Sequence, residues 1–141
     1  MQTFTRGGVR FQYPASWTLD TEDDGAAWTA SAFSPDTAFA LVALRPDADN
    51  PAELADETLK ALKAEYQELD AEPVVESVAG QPAVGYDVDF LSVDVAIMCL
   101  IRAVNTPDGP LLFLAQVGEY DREAHEPLLR AVLQSVQIAD E

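Results

Sequence analysis

A chain of 141 residues, 48% of them hydrophobic, can build one domain with its own core and needs neither disulfides nor a metal to hold it together. With 25 acidic and 8 basic side chains the net charge is −17, which excludes nucleic-acid binding over most of the surface and docking on anionic membranes. The single cysteine, Cys99, excludes an intramolecular disulfide.

Taken in chain order, the first clear element is the strand Val9–Tyr13, with Val9, Phe11 and Tyr13 on one face. Pro14 stops it, since proline cannot donate to a ladder, and Trp17 follows at once. The acidic run 20–25 reads as a turn. Residues 27–33 and 38–44 read as two strands of a hairpin joined by Ser34, Pro35, Asp36 and Thr37. A helix comes next, with Asn50 as its N-cap, Pro51 in the first position and Glu53 in a capping-box relation. Its apolar stripe is Leu54, Thr58, Leu62, Tyr66 and Leu69.

The second half reads as a meander followed by a helix. Strands are expected over 72–78, 83–90, 93–104 and 111–117, with a break at Gly80-Gln81-Pro82 and a hairpin loop over 105–109. In the strand 83–90, Val84, Tyr86, Val88 and Phe90 share one face, and Asp87 and Asp89 the other. A last helix is expected to start near Pro127, after a short turn that follows Asp121, and to run to Val136. Leu128, Ala131, Val132 and Ser135 form its expected inward stripe.

The runs 95–101 and 111–115 are apolar on both faces, and a strand buried on both faces needs a layer on each side. With two helices available, the expected architecture is α+β: a three-layer α/β/α sandwich around a mostly antiparallel sheet of about six to seven strands, forming a single domain over 1–141.

Three segments carry a resemblance. Gly8-Val9-Arg10-Phe11-Gln12-Tyr13-Pro14-Ala15-Ser16-Trp17 is similar to an "F-x-Y-P-x-x-W" opening. Val78-Ala79-Gly80-Gln81-Pro82-Ala83 is similar to a "G-x-P-A" turn before a long strand, and the segment 129–136 to a closing helix. In this order they resemble the PsbP-like superfamily, which includes the Ran-binding import factor Mog and bacterial domains of the DUF1795 and DcrB types. The resemblance covers nearly the whole chain. It implies a non-enzymatic accessory or binding domain, and for DUF1795-type relatives a cytoplasmic chaperone of type VI secretion effectors. Trp17 is expected to fold back and plug the edge of the core.

Candidate chemistry is sparse. His125, the only histidine, lies near Asp121, Glu123 and Glu126, a set that could ligate a metal but reads first as a solvated helix entrance. Asp20, Glu22 and Asp24 with Gly25 resemble the start of a calcium loop, but Ser31 stands where a bidentate glutamate belongs. Cys99 sits in an apolar run and reads as a small buried hydrophobe. Trp28, Phe33 and Phe39 lie on the early hairpin and either pack under a helix or mark a sheet edge open to a partner's strand.

No catalytic, metal or cofactor residue is assigned on these grounds, and no cofactor is expected. The expectation is a protein-binding accessory domain whose partner carries basic groups, with no membrane insertion. A signal peptide and a membrane-length apolar run are both missing from the sequence, so a cytoplasmic location is expected. A secretion chaperone is the first alternative, and it calls for an exposed apolar sheet face. A small-ligand binder is the second, and it calls for a cavity between sheet and helix.

Overall fold

The computed structural model describes residues 1–139. The elements are β1 (Gln2–Arg6), β2 (Val9–Tyr13), β3 (Thr18–Asp23), β4 (Trp28–Phe33), β5 (Phe39–Leu44), α1 (Pro51–Glu65), β6 (Leu69–Val78), β7 (Gln81–Ser92), β8 (Val95–Thr106), β9 (Gly109–Gly118), α2 (Arg122–Gln134) and β10 (Gln137–Ile138). Seven strands form one antiparallel sheet in the order β3-β4-β5-β9-β8-β7-β6, and β1, β2 and β10 form a second, smaller sheet. The expected three-layer α+β sandwich is present, with α1 on one side of the large sheet and α2 with the small sheet on the other.

The chain path explains how the helices lie. Leaving β5 in mid-sheet, the chain must reach β6 at the far edge, and α1 makes that crossing over β7, β8 and β9. The meander β6-β7-β8-β9 then returns to pair with β5, where Leu41 faces Leu114 and Val42 faces Phe113. From β9, α2 crosses the opposite side over β9 and β5 and delivers β10 to β2. The two helices are therefore offset diagonally. Only β8 and β9 are roofed on both faces, which is why their sequences are largely apolar on both faces, with Arg102 the buried exception.

Several boundaries differ from the sequence reading. β2 lies outside the large sheet, as the middle strand of the small one, where Phe11 packs against Phe4 with ring centroids 5.4 Å apart. The stretch 20–23 is strand and not turn: β3 pairs with β4 along its length, and the turn is confined to Asp24–Ala27, with Asp24 Oδ1 accepting from the Ala27 amide at 2.7 Å. α1 ends at Glu65. Leu69 belongs to β6, opposite Phe90. Two turns sit differently from the breaks expected: Ala79-Gly80, shorter than expected, leaves Gln81 and Pro82 in β7, and Val93-Asp94, two residues further on than expected, has left-handed φ values of 49° and 64° that take Val93 out of β8.

α2 starts at Arg122, so Pro127 is inside the helix and not at its start. The missing amide of Pro127 leaves the Glu123 carbonyl without a helical donor, a cost met on the exposed side of the helix. The inward stripe is Leu129, Val132 and Leu133, joined by Val136, while Ala131 faces solvent. Trp17 is buried in the α2-side core, its amide donating to the Pro14 carbonyl at 3.0 Å, as the proline-stopped opening implies.

Candidate functional site

The metal set imagined around His125 assembles differently. His125 Nε2 lies 3.1 Å from Asp36 Oδ2 and 3.8 Å from Asp121 Oδ2. Asp36 comes from the β4–β5 loop, 89 residues away in sequence, so no spacing rule could have found it. Glu126 is drawn off by Arg122 at 2.7 Å and Arg130 at 3.0 Å, which hold its carboxyl below the usual carboxylate range, and Glu123 is exposed. Asp121 also accepts from the Thr37 amide at 3.1 Å and from the Thr37 hydroxyl.

The donor atoms of Asp36, Asp121 and His125 lie within 4.8 Å of one another. A ligating imidazole, however, needs an acceptor for its second N–H. Here Nδ1 is buried, the ring lying edge-on with Trp17 at 5.9 Å, and has no hydrogen-bond partner among the described residues. The arrangement is a latch that ties the β4–β5 loop to the start of α2.

The sheet agrees with Ser31 in ruling against a calcium loop. Asp20 and Glu22 stand on one face of β3, and Ser31, at the would-be closing position, pairs across the ladder with Asp20. Asp23 is bound to Arg6 at 2.5 Å and accepts the Gly25 amide at 2.8 Å; that ion pair, with the backbone bond, holds its carboxyl down at about 2. Cys99 is buried under α1, and burial pushes its thiol up to about 12.

The early aromatics separate. Trp28 points to the α2 side and stacks obliquely on Phe4 at 5.5 Å, while Phe33 and Phe39 point the other way, 5.9 Å apart. β3, not this hairpin, forms the sheet edge.

The α1 side of β3, β4 and β5 is the largest consequence of the offset helices. No helix covers it, because α1 packs on β7 to β9. Phe33, 41% exposed, lies beside the half-buried Phe39, Leu41 and Leu114. Thr18, Asp20, Glu22, Thr29 and Ser31 continue the face outward, and Arg45 closes one end, donating to Thr29 Oγ1 at 2.8 Å. The result is an apolar strip with an acidic outer rim. The sequence hinted at it only through Phe33 and Phe39, and nothing local said which half of the sheet α1 would roof.

On the α2 side the uncovered half is the opposite one, β6 and β7. There Asp87 and Asp89 face the same way, as the alternation implied, and stand directly across the ladder from Glu72 and Asp70. Arg102, 2% exposed, reaches Asp87 at 2.8 Å and Glu76 at 2.5 Å.

No family model and no curated protein matches this chain. Solved structures do. It is similar to the cyanobacterial PsbP of Synechocystis, with a TM-score of 0.67 at 15% identity over 98% of this chain and 92% of that one. It is also similar to PA94 of Pseudomonas aeruginosa, a protein of unknown function described as a putative regulator, with a TM-score of 0.58 at 13% identity over 96% and 94% of the chains. A third similar structure is LpqN of Mycobacterium tuberculosis, involved in cell envelope biogenesis, with a TM-score of 0.55 at 10% identity over 93% and 83%. The fold is PsbP-like.

Proposed function

We propose that this chain is a non-catalytic accessory domain that binds a protein partner through the uncovered α1-side face of β3 to β5. The observation that carries the reading is the contiguous apolar strip of Phe33, Phe39, Leu41 and Leu114, which starts at the margin of the α1 cover and runs out over the part of the sheet that α1 leaves open. Contiguous apolar surface with a polar rim is a mark of interaction sites. Asp20 and Glu22 on the rim, with the net charge of −17, favour a partner with basic groups beside its apolar contact. A cytoplasmic location is part of the proposal, and among the described residues no helix is long and apolar enough to cross a membrane.

The test is a capture experiment with wild-type protein and a Phe33→Ser, Leu41→Ser variant at low and moderate salt. A stoichiometric partner held by the wild type and lost by the variant supports the proposal. Equal capture by both sinks it.

The same strip gives the chaperone alternative its footing, since an apolar helix of a secreted effector could lie there. That reading holds only if the captured partner is such an effector. The ligand-binder alternative finds less support: the enclosed apolar cavity lined by Val42, Val104, Phe113 and Leu133 beneath α2 measures about 10 Å³, which is barely one water, and the larger cleft of about 520 Å³ between α2 and β6 to β8 is open to solvent.

A further inference from the structure

We infer that the partner enters by adding a strand: an extended segment of it pairs antiparallel with the free backbone edge of β3. The inference rests on the contact face proposed above and specifies how that face is engaged at its outer margin.

β3 is the last strand on its side of the large sheet, and it pairs with β4 in unbroken register from Thr18 opposite Phe33 to Asp23 opposite Trp28. The Asp24 amide donates to the Ala27 carbonyl at 3.0 Å, which sets the phase of the ladder. In an antiparallel pair, hydrogen-bonded and non-hydrogen-bonded positions alternate. Thr18, Asp20 and Glu22 therefore bond to β4, while Leu19, Thr21 and Asp23 turn their amides and carbonyls outward. Among the described residues no backbone group answers them.

Sheet edges are commonly blunted by proline, lysine or a bulge. The opposite edge, β6, carries Pro73. β3, with the sequence Thr-Leu-Asp-Thr-Glu-Asp and its unbroken register, has none of the three. A flat, unbroken edge of six residues offers about 20 Å of ladder to an incoming chain. Because Thr18 stands opposite Phe33, that chain extends the face on which the apolar strip lies.

The ladder also states which chain fits. Opposite Asp20 and Glu22 the added strand is at non-hydrogen-bonded positions, where facing side chains come closest. Among the described residues the one ion pair made by β3 is Asp23 with Arg6, on the α2 side, so Asp20 and Glu22 meet no cation within the chain. Arg45, at the end of this face, is occupied by the Trp28 and Leu44 carbonyls and Thr29 Oγ1. Like charges across a ladder are destabilising, so the two acids turn away a second copy of β3 and favour a strand with cations at every second residue. The residues between supply the backbone bonds to Leu19, Thr21 and Asp23. Their side chains turn to the α2 side, beside the half-buried Leu19, where a β-branched residue suits both the strand and the neighbour.

The test uses the full chain and fluorescein-labelled Lys-Val-Lys-Val-Lys-Val-Lys, followed by anisotropy at moderate salt. Two further peptides of equal charge carry N-methyl groups, one on its three valines and one on three of its lysines. The valine amides are those that face β3, so methylating them should weaken binding about tenfold, and methylating the lysines less than about twofold. Asp20→Asn, Glu22→Gln should weaken the unmethylated peptide, while Asp70→Asn, Glu72→Gln, which removes two charges from the opposite edge, should not. No binding by the wild type, equal binding of the two methylated peptides, or equal losses in the two variants would overturn the inference. The Phe33→Ser, Leu41→Ser variant should bind the peptide as the wild type does. Loss of partner capture in that variant, together with equal binding of the methylated peptides, would keep the contact face and remove strand addition; the reverse pattern would keep the edge and remove the strip.

Discussion

Arg102 and Glu76 meet at 2.5 Å on the α2 side of the sheet, with the guanidinium almost wholly enclosed and the carboxylate still touching water. Arg102 also donates to Asp87 at 2.8 Å and to the Tyr86 and Ile101 carbonyls at 3.1 and 2.9 Å. Gly85, opposite Arg102 in the ladder, makes room for this, because a Cβ there would lie 1.8 Å from the Ile101 carbonyl oxygen. Gln134 of α2 donates to the second oxygen of Glu76 at 3.2 Å, so one buried cation ties β6, β7, β8 and α2 together.

Arg102→Ala should therefore cost about 2–3 kcal/mol in chemical denaturation, less than for a fully buried pair because Glu76 and Asp87 keep contact with water. Arg102→Met, which keeps much of the volume, should cost less. A loss as large in Arg102→Met as in Arg102→Ala would show that the ion pairs, not the packing, dominate.

The Arg6–Asp23 pair predicts a local pH effect. Asp23 titrates at about 2 in the folded protein, against an ordinary value of 3.8. A depressed carboxyl stabilises the fold above its ordinary value, and that contribution is lost as pH falls from about 4 through 2. NMR titration should place the Asp23 carboxyl near 2 in the wild type and return it toward 3.8 in Arg6→Ala. An unchanged titration in Arg6→Ala would remove the pair as the cause.

Phe33→Ser should leave folding nearly intact while disabling the contact face. The ring is 41% exposed and touches Phe39 only obliquely, so its truncation should cost about 1 kcal/mol. A thermal melt checks the first half, and partner capture the second. A large stability loss with capture retained would make Phe33 a core residue.

The Val93-Asp94 turn carries strain that substitution should release. Both residues have left-handed φ values, and Val93, 93% exposed, gains nothing from packing. Val93→Asn with Asp94→Gly supplies residues suited to this turn and should raise stability by about 1 kcal/mol in urea unfolding. Lower stability would mean that the turn conformation differs from the one described.

What the sequence made legible was what local chemistry decides. Asn50 caps α1 by accepting the Glu53 amide at 2.8 Å, and Pro51 opens it, as the pattern implied. The doubly apolar runs of β8 and β9 announced the two covering layers. Less legible were elements whose partners lie far away. β1 and β10 exist because β2 pairs with both, and β3 hides its strand character behind three carboxylates, Asp20, Glu22 and Asp23, because as an edge strand it is open to water along most of its length. Leu69 continued the period of α1 by coincidence, and its pairing with Phe90 made it strand. At the His125 latch, Asp121 was visible at helical spacing. Asp36 was not, since only the fold brings the β4–β5 loop to α2.

The diagonal offset of α1 and α2 also governs how the molecule breathes. A backbone amide exchanges with solvent deuterium through the local openings available to it. In β8 and β9, both faces must be uncovered before the ladder can part. In β3 and in β6, each at one edge, a single face suffices. Protection should therefore fall off from a two-stranded spine toward both margins of the sheet, and β3, the outer strand of the contact face, is among those that loosen first.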